Sequence, residues 1–454
     1  MSQIAPPSPL RAVERRVQQR AKDLSIDVAT EEGRGRLREI VAVEVAHWSD
    51  QYRRGRRPFD LADPDVVASR AFRNLAGYGP LESLLADDDV WEIMINAPDA
   101  IFVKRHRGAS GYADEVFHDD DHVLRTLTKI LDESSSSHRK LNPAEGLQDA
   151  QLDTGARLHI VHADVARDGH VLVNIRRFTG VAFKSLAELV ELEMLDARVA
   201  AFLRACVRAG TSVVFSGAPG SGKTTMLSCC AAELDPALRV VTAEEVFEAD
   251  VPLPNVAAMQ TRPARLDREE VDLRRLVAGF LRMAPDVAIV GEVRDREALP
   301  LLLTLSSGVK GFTTIHAGSA RQALSRLRFV AQLSEGAGSL PVTALNALVS
   351  DAIDVVVHCA RTAGIPRVSE VIAVEEPLAG PESTAFTVTE VFGRGRYDGE
   401  LEWSGGLPVR LGRILSAGGF DIRSLVDGPD SRISDRPRPR ARRPRPLVAD
   451  RSSP

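Results

Sequence analysis

The sequence predicts an α/β fold: a domain with a mainly parallel sheet, preceded by an α+β domain and a helical N-terminal region. Three observations predict it. Over residues 185–376 helical patterns alternate with short apolar runs, as a parallel sheet with crossover helices requires. Inside that span the apolar run TSVVFSG enters a glycine-rich turn, and MLSCCAAEL leaves it with a helical pattern. Ahead of it, VWEIMIN with IFVKRH and ARLHIVHA with HVLVNIRRF read as strand pairs around tight turns, without that alternation.

At 454 residues the chain exceeds one ordinary domain, and roughly three domain-sized units are expected. The net charge of −5 gives no reason to expect a nucleic-acid partner. Cys206, Cys229, Cys230 and Cys359 form no CxxC pair, which fits a reducing compartment and supplies neither a zinc nor a disulfide framework. The start, MSQIAPPSPLRAVERR, has no apolar core of a signal peptide. No apolar run approaches the roughly 20 residues that span a bilayer. A soluble, cytoplasmic protein follows as the expectation, with any membrane work done through a partner.

Residues 1–10 are expected to be disordered and 11–76 helical, with Leu37, Ile40, Val41, Val45 and Trp48 at helical spacings. The run RRGRRP (Arg53–Pro58) interrupts that pattern and reads as a solvated loop ahead of a contact for an acidic surface. The α+β domain spans 77–180, a linker 181–184, and the α/β domain 185–376. A small β-like extension is expected at 377–426. Residues 427–454 form a basic, proline-rich tail; its last 24 residues, from Ser431, carry eight Arg against two Asp. Such a tail reads first as a solubilising end, and otherwise as a contact for anionic lipid or an acidic partner.

Gly217-Ala218-Pro219-Gly220-Ser221-Gly222-Lys223-Thr224 fits GxxxxGK[ST] in full and is followed by Thr225. Strand–loop–helix order lets the loop N–H groups wrap phosphate oxygens while the helix N-terminus faces the negative charge. Lys223 is expected to reach the β- and γ-phosphates of ATP, and Thr224 to hold Mg²⁺ through its hydroxyl. DVAIVGEVR places Glu292 after a second strand, where it can orient the Mg²⁺ shell or a water. Arg294 is equally suited to pairing with Glu292 or reaching phosphate. RVVTAEEVFEAD follows a strand with Glu244, Glu245, Glu248 and Asp250, any of which could aim a water at the γ-phosphate. GFTTIHAG brings His316 to the end of a further strand, where a lone histidine is better placed to sense phosphate than to fill a core.

Taken in order, GAPGSGKTT, TAEEVFEAD, LRMAPDVAIVGEVRDREA and GFTTIHAGSARQALSRL resemble the type II/IV secretion ATPase superfamily, and within it the assembly ATPases of tight-adherence (Flp) pili. Upstream, GYGPLESLLADDDVWEIMINAPDAIFVKR, DTGARLHI and VNIRRF are similar to that family's N-terminal domain, and AIDVVVHCARTAGIPRVSEVIAV to the motor's closing strands. The resemblance covers about residues 70–376. It implies a RecA-like motor behind a PAS-like domain, assembled as a homohexamer. It also implies Glu248 as the catalytic carboxylate, Glu292 as the Walker B glutamate and His316 as the histidine-box residue. Arg157 and Arg176 then match arginines that reach the nucleotide, with Arg177 as the fallback for Arg176.

This chain departs from the family pattern in three places: Ala243-Glu244-Glu245 for Ile-Glu-Asp, Ala284 for an arginine, and Gln151 for another. It also lacks the tetracysteine insert of the type II secretion and pilus-extension branch. The implied function is an ATP-driven motor lying peripherally at the inner face of the cytoplasmic membrane, moving a platform protein that extrudes pilin. Two alternatives stand beside it: the ATPase of a DNA-transfer or type IV secretion system, and a slow, nucleotide-gated assembly scaffold.

Overall fold

The computed structural model describes residues 8–134, 140–152, 154–177, 183–262, 264, 269–334, 340–362, 365–377, 385–394 and 399–426. Residues 1–7 of the start expected to be disordered (1–10), 181–182 of the expected linker (181–184) and the whole expected basic tail (427–454) lie outside them. Pro9 and Leu10, by contrast, are helical. The described residues divide into two compact units. One lies within 1–184, 243–251 and 259–273, the other within 185–242, 252–258 and 274–454.

The first unit begins with α1 (Pro9–Asp23), α2 (Glu31–Arg53) and α3 (Pro64–Ala76). Ser8, Thr30 and Asp63 each accept a backbone N–H at the start of these helices, and proline stands in the first turn of α1 and α3. Their apolar stripes meet around Val17, Leu37, Val41 and Trp48. The basic run forms the loop after α2, where the Arg57 guanidinium lies 4.1 Å from the Trp48 ring centroid.

There follow α4 (Leu81–Ala86), β1 (Val90–Ala97), β2 (Ala100–Arg105), β3 (Gly111–Tyr112), α5 (Asp120–Glu133), β4 (Leu147–Gln151), β5 (Arg157–Val161) and β6 (Leu172–Arg176). The strands form an antiparallel sheet in the order β3-β2-β1-β6-β5-β4. Ile93, Ile95, Leu158, Ile160, Val173 and Ile175 alternate onto one face and form a core with Val123, Leu127 and Ile130 of α5. The opposite face carries an in-register row: Gln151, Arg157, Arg176, Glu92 and Lys104. Two arginines directly opposite each other repel unless an anion sits with them.

The second unit contains α6 (Leu186–Glu191), α7 (Ala197–Arg208), β7 (Val213–Gly217), α8 (Lys223–Ala231), β8 (Val240–Glu244), β9 (Val256–Gln260), α9 (Leu273–Ala278), β10 (Val287–Val290), α10 (Ala298–Ser306) and β11 (Lys310–Ile315). It continues through α11 (Ala320–Gln332), α12 (Val342–Ala352), β12 (Val355–Thr362), β13 (Ile365–Val374), β14 (Val388–Arg394), β15 (Leu401–Trp403), α13 (Val409–Ala417) and α14 (Ile422–Val426). The ends of β8 and β9 are grouped with the first unit.

The sheet order is β15-β14-β13-β12-β7-β11-β10-β8-β9. Strands β12, β7, β11 and β10 run parallel, and β13, β14 and β15 add an antiparallel meander. Every residue of β7 and β10 is buried, as central strands covered on both faces demand. Where a β-like extension was expected, the chain forms β14, β15 and two helices.

That extension is tied to the sheet by Asp354, which is 1% exposed. Its carboxylate accepts from Ser212 N at 2.8 Å, Arg410 of α13 at 2.8 Å and Lys310 Nζ at 3.2 Å. Glu375 accepts the N–H groups of Val409 and Arg410 at the start of α13. Asp354→Ala takes the carboxylate from a part-buried guanidinium, which keeps the Ser350 and Asp351 carbonyls, and leaves a buried N–H without its acceptor. A loss of about 3–5 kcal/mol in unfolding free energy is expected, read as a lower denaturant midpoint at unchanged slope. Among the described residues no helix is long and apolar enough to cross a membrane.

Candidate nucleotide-binding site

In the second unit the loop after β7 turns through Gly217, Gly220 and Gly222, all with positive φ. At Gly217 glycine is required by space as well as by backbone, because a Cβ would stand 2.1 Å from the Cys359 carbonyl oxygen; at Gly222 the positive φ is the requirement. Gly222 precedes α8 in the left-handed region and no side chain caps that helix. Its first N–H groups, on Lys223, Thr224 and Thr225, therefore present a positive helix terminus suited to phosphate.

Lys223 is buried. Its ammonium donates to Ala218 O at 2.9 Å and lies 3.2 Å from His316 Nδ1. That ring nitrogen is also 3.2 Å from Gly217 O. Burial, and then the Lys223 charge, lower the His316 pKa and favour the neutral ring. His316 Nε2 lies 2.8 Å from Glu292 Oε1. The contact has the distance of an ion pair but not hydrogen-bond geometry, so Oε1 is buried without a hydrogen-bond donor. Burial pushes the Glu292 carboxyl up, but the Arg294 hydrogen bond, with the charges of Arg294, His316 and Lys223, brings it below its usual range. Glu292 is thus a carboxylate at neutral pH.

Arg294, for which the sequence leaves two roles open, donates to Glu292 Oε2 at 2.7 Å. Glu297 accepts the N–H groups of Arg294 and Asp295 at 2.5 and 2.9 Å and shapes that turn. Ser221 Oγ in the loop is likewise buried without a hydrogen-bond partner. The buried Glu292 oxygen left unengaged by donors is the type of ligand a hard divalent cation such as Mg²⁺ takes.

The acidic segment after β8 belongs to the first unit. Glu244 is 2% exposed, and its Oε2 accepts the N–H groups of Glu248 and Ala249 at 2.8 and 2.9 Å. Burial raises its pKa to about 7. Glu245 and Glu248 are part-exposed and meet the arginine pair of the sheet: Arg157 lies 3.5 Å from Glu245, and Arg176 3.1 Å from Glu248. The anion that the row of like charges needs is therefore supplied by this segment. Arg177, the fallback for Arg176, is held instead by the carbonyls of Leu84, Asp87 and Val90.

The structure thus gathers Lys223, Glu292, His316 and Arg294 on one unit, and Arg157, Arg176, Glu245 and Glu248 on the other. Sequence reasoning missed two neighbours of the phosphate loop. His358 Nδ1 lies 2.9 Å from Ser216 Oγ, and Arg361 donates to Gly220 O at 2.8 Å. Both sit on β12, about 140 residues away in sequence; only their polarity after the apolar run VVV marked them.

The sequence pattern described as type II/IV secretion system protein matches residues 74–382. The chain belongs to that family. A Mycobacterium tuberculosis protein provisionally named for conjugal transfer is 31% identical to this secretion-family chain over 328 residues, covering 70% of it and 90% of the relative. The type IV secretion system protein PtlH of Bordetella pertussis is 30% identical over 326 residues, covering 67% of this chain and 94% of its own. Among solved structures, the VirB11 ATPase of the Brucella suis type IV secretion system aligns at 27% identity, over 64% of this chain and 94% of its own, with a TM-score of 0.36.

Proposed function

We propose that this member of the secretion family is an ATP hydrolase that drives assembly of a tight-adherence pilus or export of a substrate across the inner membrane. The observation that supports it best is the cluster of Lys223, His316 and Glu292 at the glycine-rich loop, with one buried Glu292 oxygen left without a donor. Lys223 exchanges its Ala218 carbonyl for the β- and γ-phosphates, beside the loop N–H groups and Thr225. Thr224 and Glu292 would hold the Mg²⁺ that accompanies ATP, which neutralises charge developing on the phosphates. Neutral His316 contacts the γ-phosphate as charge shifts there. Glu248 orients or deprotonates the attacking water.

Arg157 and Arg176 serve as further phosphate contacts. Their ion pairs with Glu245 and Glu248 are half-exposed and worth about 0–1 kcal/mol each, so polyanionic ATP competes readily for them. We further assign a homohexamer acting peripherally at the inner membrane on a platform protein. The relatives named for conjugal transfer and type IV secretion favour a second reading, the ATPase of a type IV secretion system, built on the same motor chemistry.

The test of hydrolysis is Mg²⁺-dependent phosphate release by the purified chain against Glu248→Gln. The variant is expected to fall at least a hundredfold below wild type, the range lost with a positioned general base. Equal rates would leave a nucleotide-gated scaffold as the better reading.

A further inference from the structure

We propose that Glu244 is a positioning residue for Glu248: its carboxylate gathers the backbone of residues 248–249 and sets where the Glu248 side chain points. The inference rests on the hydrolytic reading of Glu248 and deepens it.

The geometry is specific. A single oxygen, Glu244 Oε2, accepts two successive N–H groups, from Glu248 and Ala249, at 2.8 and 2.9 Å. The acceptor sits at the end of β8 and is almost fully buried, so it cannot swing away without losing both bonds. On the far side of the same segment, Thr261 N donates to Glu244 O and Thr261 Oγ1 to Glu245 O. The backbone on either side of Glu245 is thereby fixed. The side chains of Glu245 and Glu248 are left to meet Arg157 and Arg176. Three acidic side chains of one short segment therefore have separate duties: one points inward and holds backbone, two point outward and hold cations.

The protonation state matters because a charged acceptor makes a hydrogen bond roughly twice as strong as a neutral one. The charged group that acts on Glu244 is Glu248 on its own segment, which raises its pKa further; Arg157 on β5 and Arg176 on β6 pair with Glu245 and Glu248. Burial remains the main cause, so the group titrates near pH 7. Below that pH the segment is held by a weaker, neutral acceptor.

Glu244→Gln in the intact chain keeps the shape and removes the charge. The expected result is a fall in kcat of about ten- to hundredfold, the cost of a slightly misplaced catalytic group. The affinity for a non-hydrolysed ATP analogue should stay within about twofold, because Lys223 and its loop are untouched. Wild-type kcat should drop on the acid side of about pH 7, and Glu244→Gln should lack that limb. Amide exchange at Glu248 and Ala249 should quicken in Glu244→Gln, and more in Glu244→Ala.

Wild-type kcat and exchange in Glu244→Gln would overturn the proposal; so would a parallel loss of kcat and analogue affinity, which marks general damage. Glu248→Gln in the same assay separates the two claims. If it turns over like wild type, the catalytic reading of Glu248 is what fails, whereas exchange at residues 248–249 still reports on the Glu244 contact.

Discussion

Lys223→Ala is expected to lower ATP hydrolysis by about a thousandfold and to weaken nucleotide binding with it. The ammonium is buried against Ala218 O and His316, so its removal takes a cation from a site of low dielectric, where it counts for more than in water. Removing one preorganised donor to a developing anion typically costs 10²–10³ in rate. A fluorescent nucleotide titration beside a phosphate-release assay reads both effects. Binding and turnover within a few-fold of wild type would remove Lys223 from the phosphate site and, with it, the reading of the loop.

Glu292→Gln should act differently. It preserves volume but takes away the carboxylate that Arg294 and His316 face. Arg294 then loses that ion pair, and the buried oxygen suited to Mg²⁺ loses most of its affinity for a hard cation. A fall in kcat of about 10²–10³ is expected, with analogue binding largely kept and the Mg²⁺ concentration for half-maximal rate shifted upward. An unchanged Mg²⁺ dependence would show that Glu292 does not serve the cation. His316 would also lose a carboxylate that raises its pKa, so its ring should stay neutral to still lower pH.

The chemistry of Glu244 carries a stability signature as well. Its carboxyl ionises near 4.5 in ordinary surroundings and near 7 in the fold, so the folded chain holds the extra proton between these values. Stability should therefore fall as pH rises from about 4.5 to about 7, by at most about 3 kcal/mol, and level off above. Glu244→Gln should abolish that slope. A residue that costs stability when ionised, yet anchors two backbone groups, fits a functional rather than a scaffolding role.

Much of this architecture is readable along the chain. Strands β7, β10 and β11 are short, continuous apolar runs because both faces of a central parallel sheet are covered, and a site residue follows soon after the end of each. Lys223, Glu292 and His316 were accessible through those runs. Strand β4, LQDAQ, was not, because its polarity runs against its burial: the apolar Leu147 is exposed and the polar Gln148 is buried. The acidic segment was legible only as a set: composition could not separate Glu244 from Glu245 or Glu248. What distinguishes them is burial on one side and Arg157 and Arg176 on the other, and both depend on chain brought in from elsewhere. His358 and Arg361 escaped for the same reason.

The meander that continues the second sheet has a practical corollary. The family pattern ends at residue 382, whereas β14 begins at Val388 and shields the outer side of β13, a ten-residue strand. Trimming the chain to the matched span would bare the amides and carbonyls of Glu370–Val374 that β14 now pairs and strip Phe392 from Phe202. Insolubility of such a fragment would then report a missing selvedge rather than a defective motor.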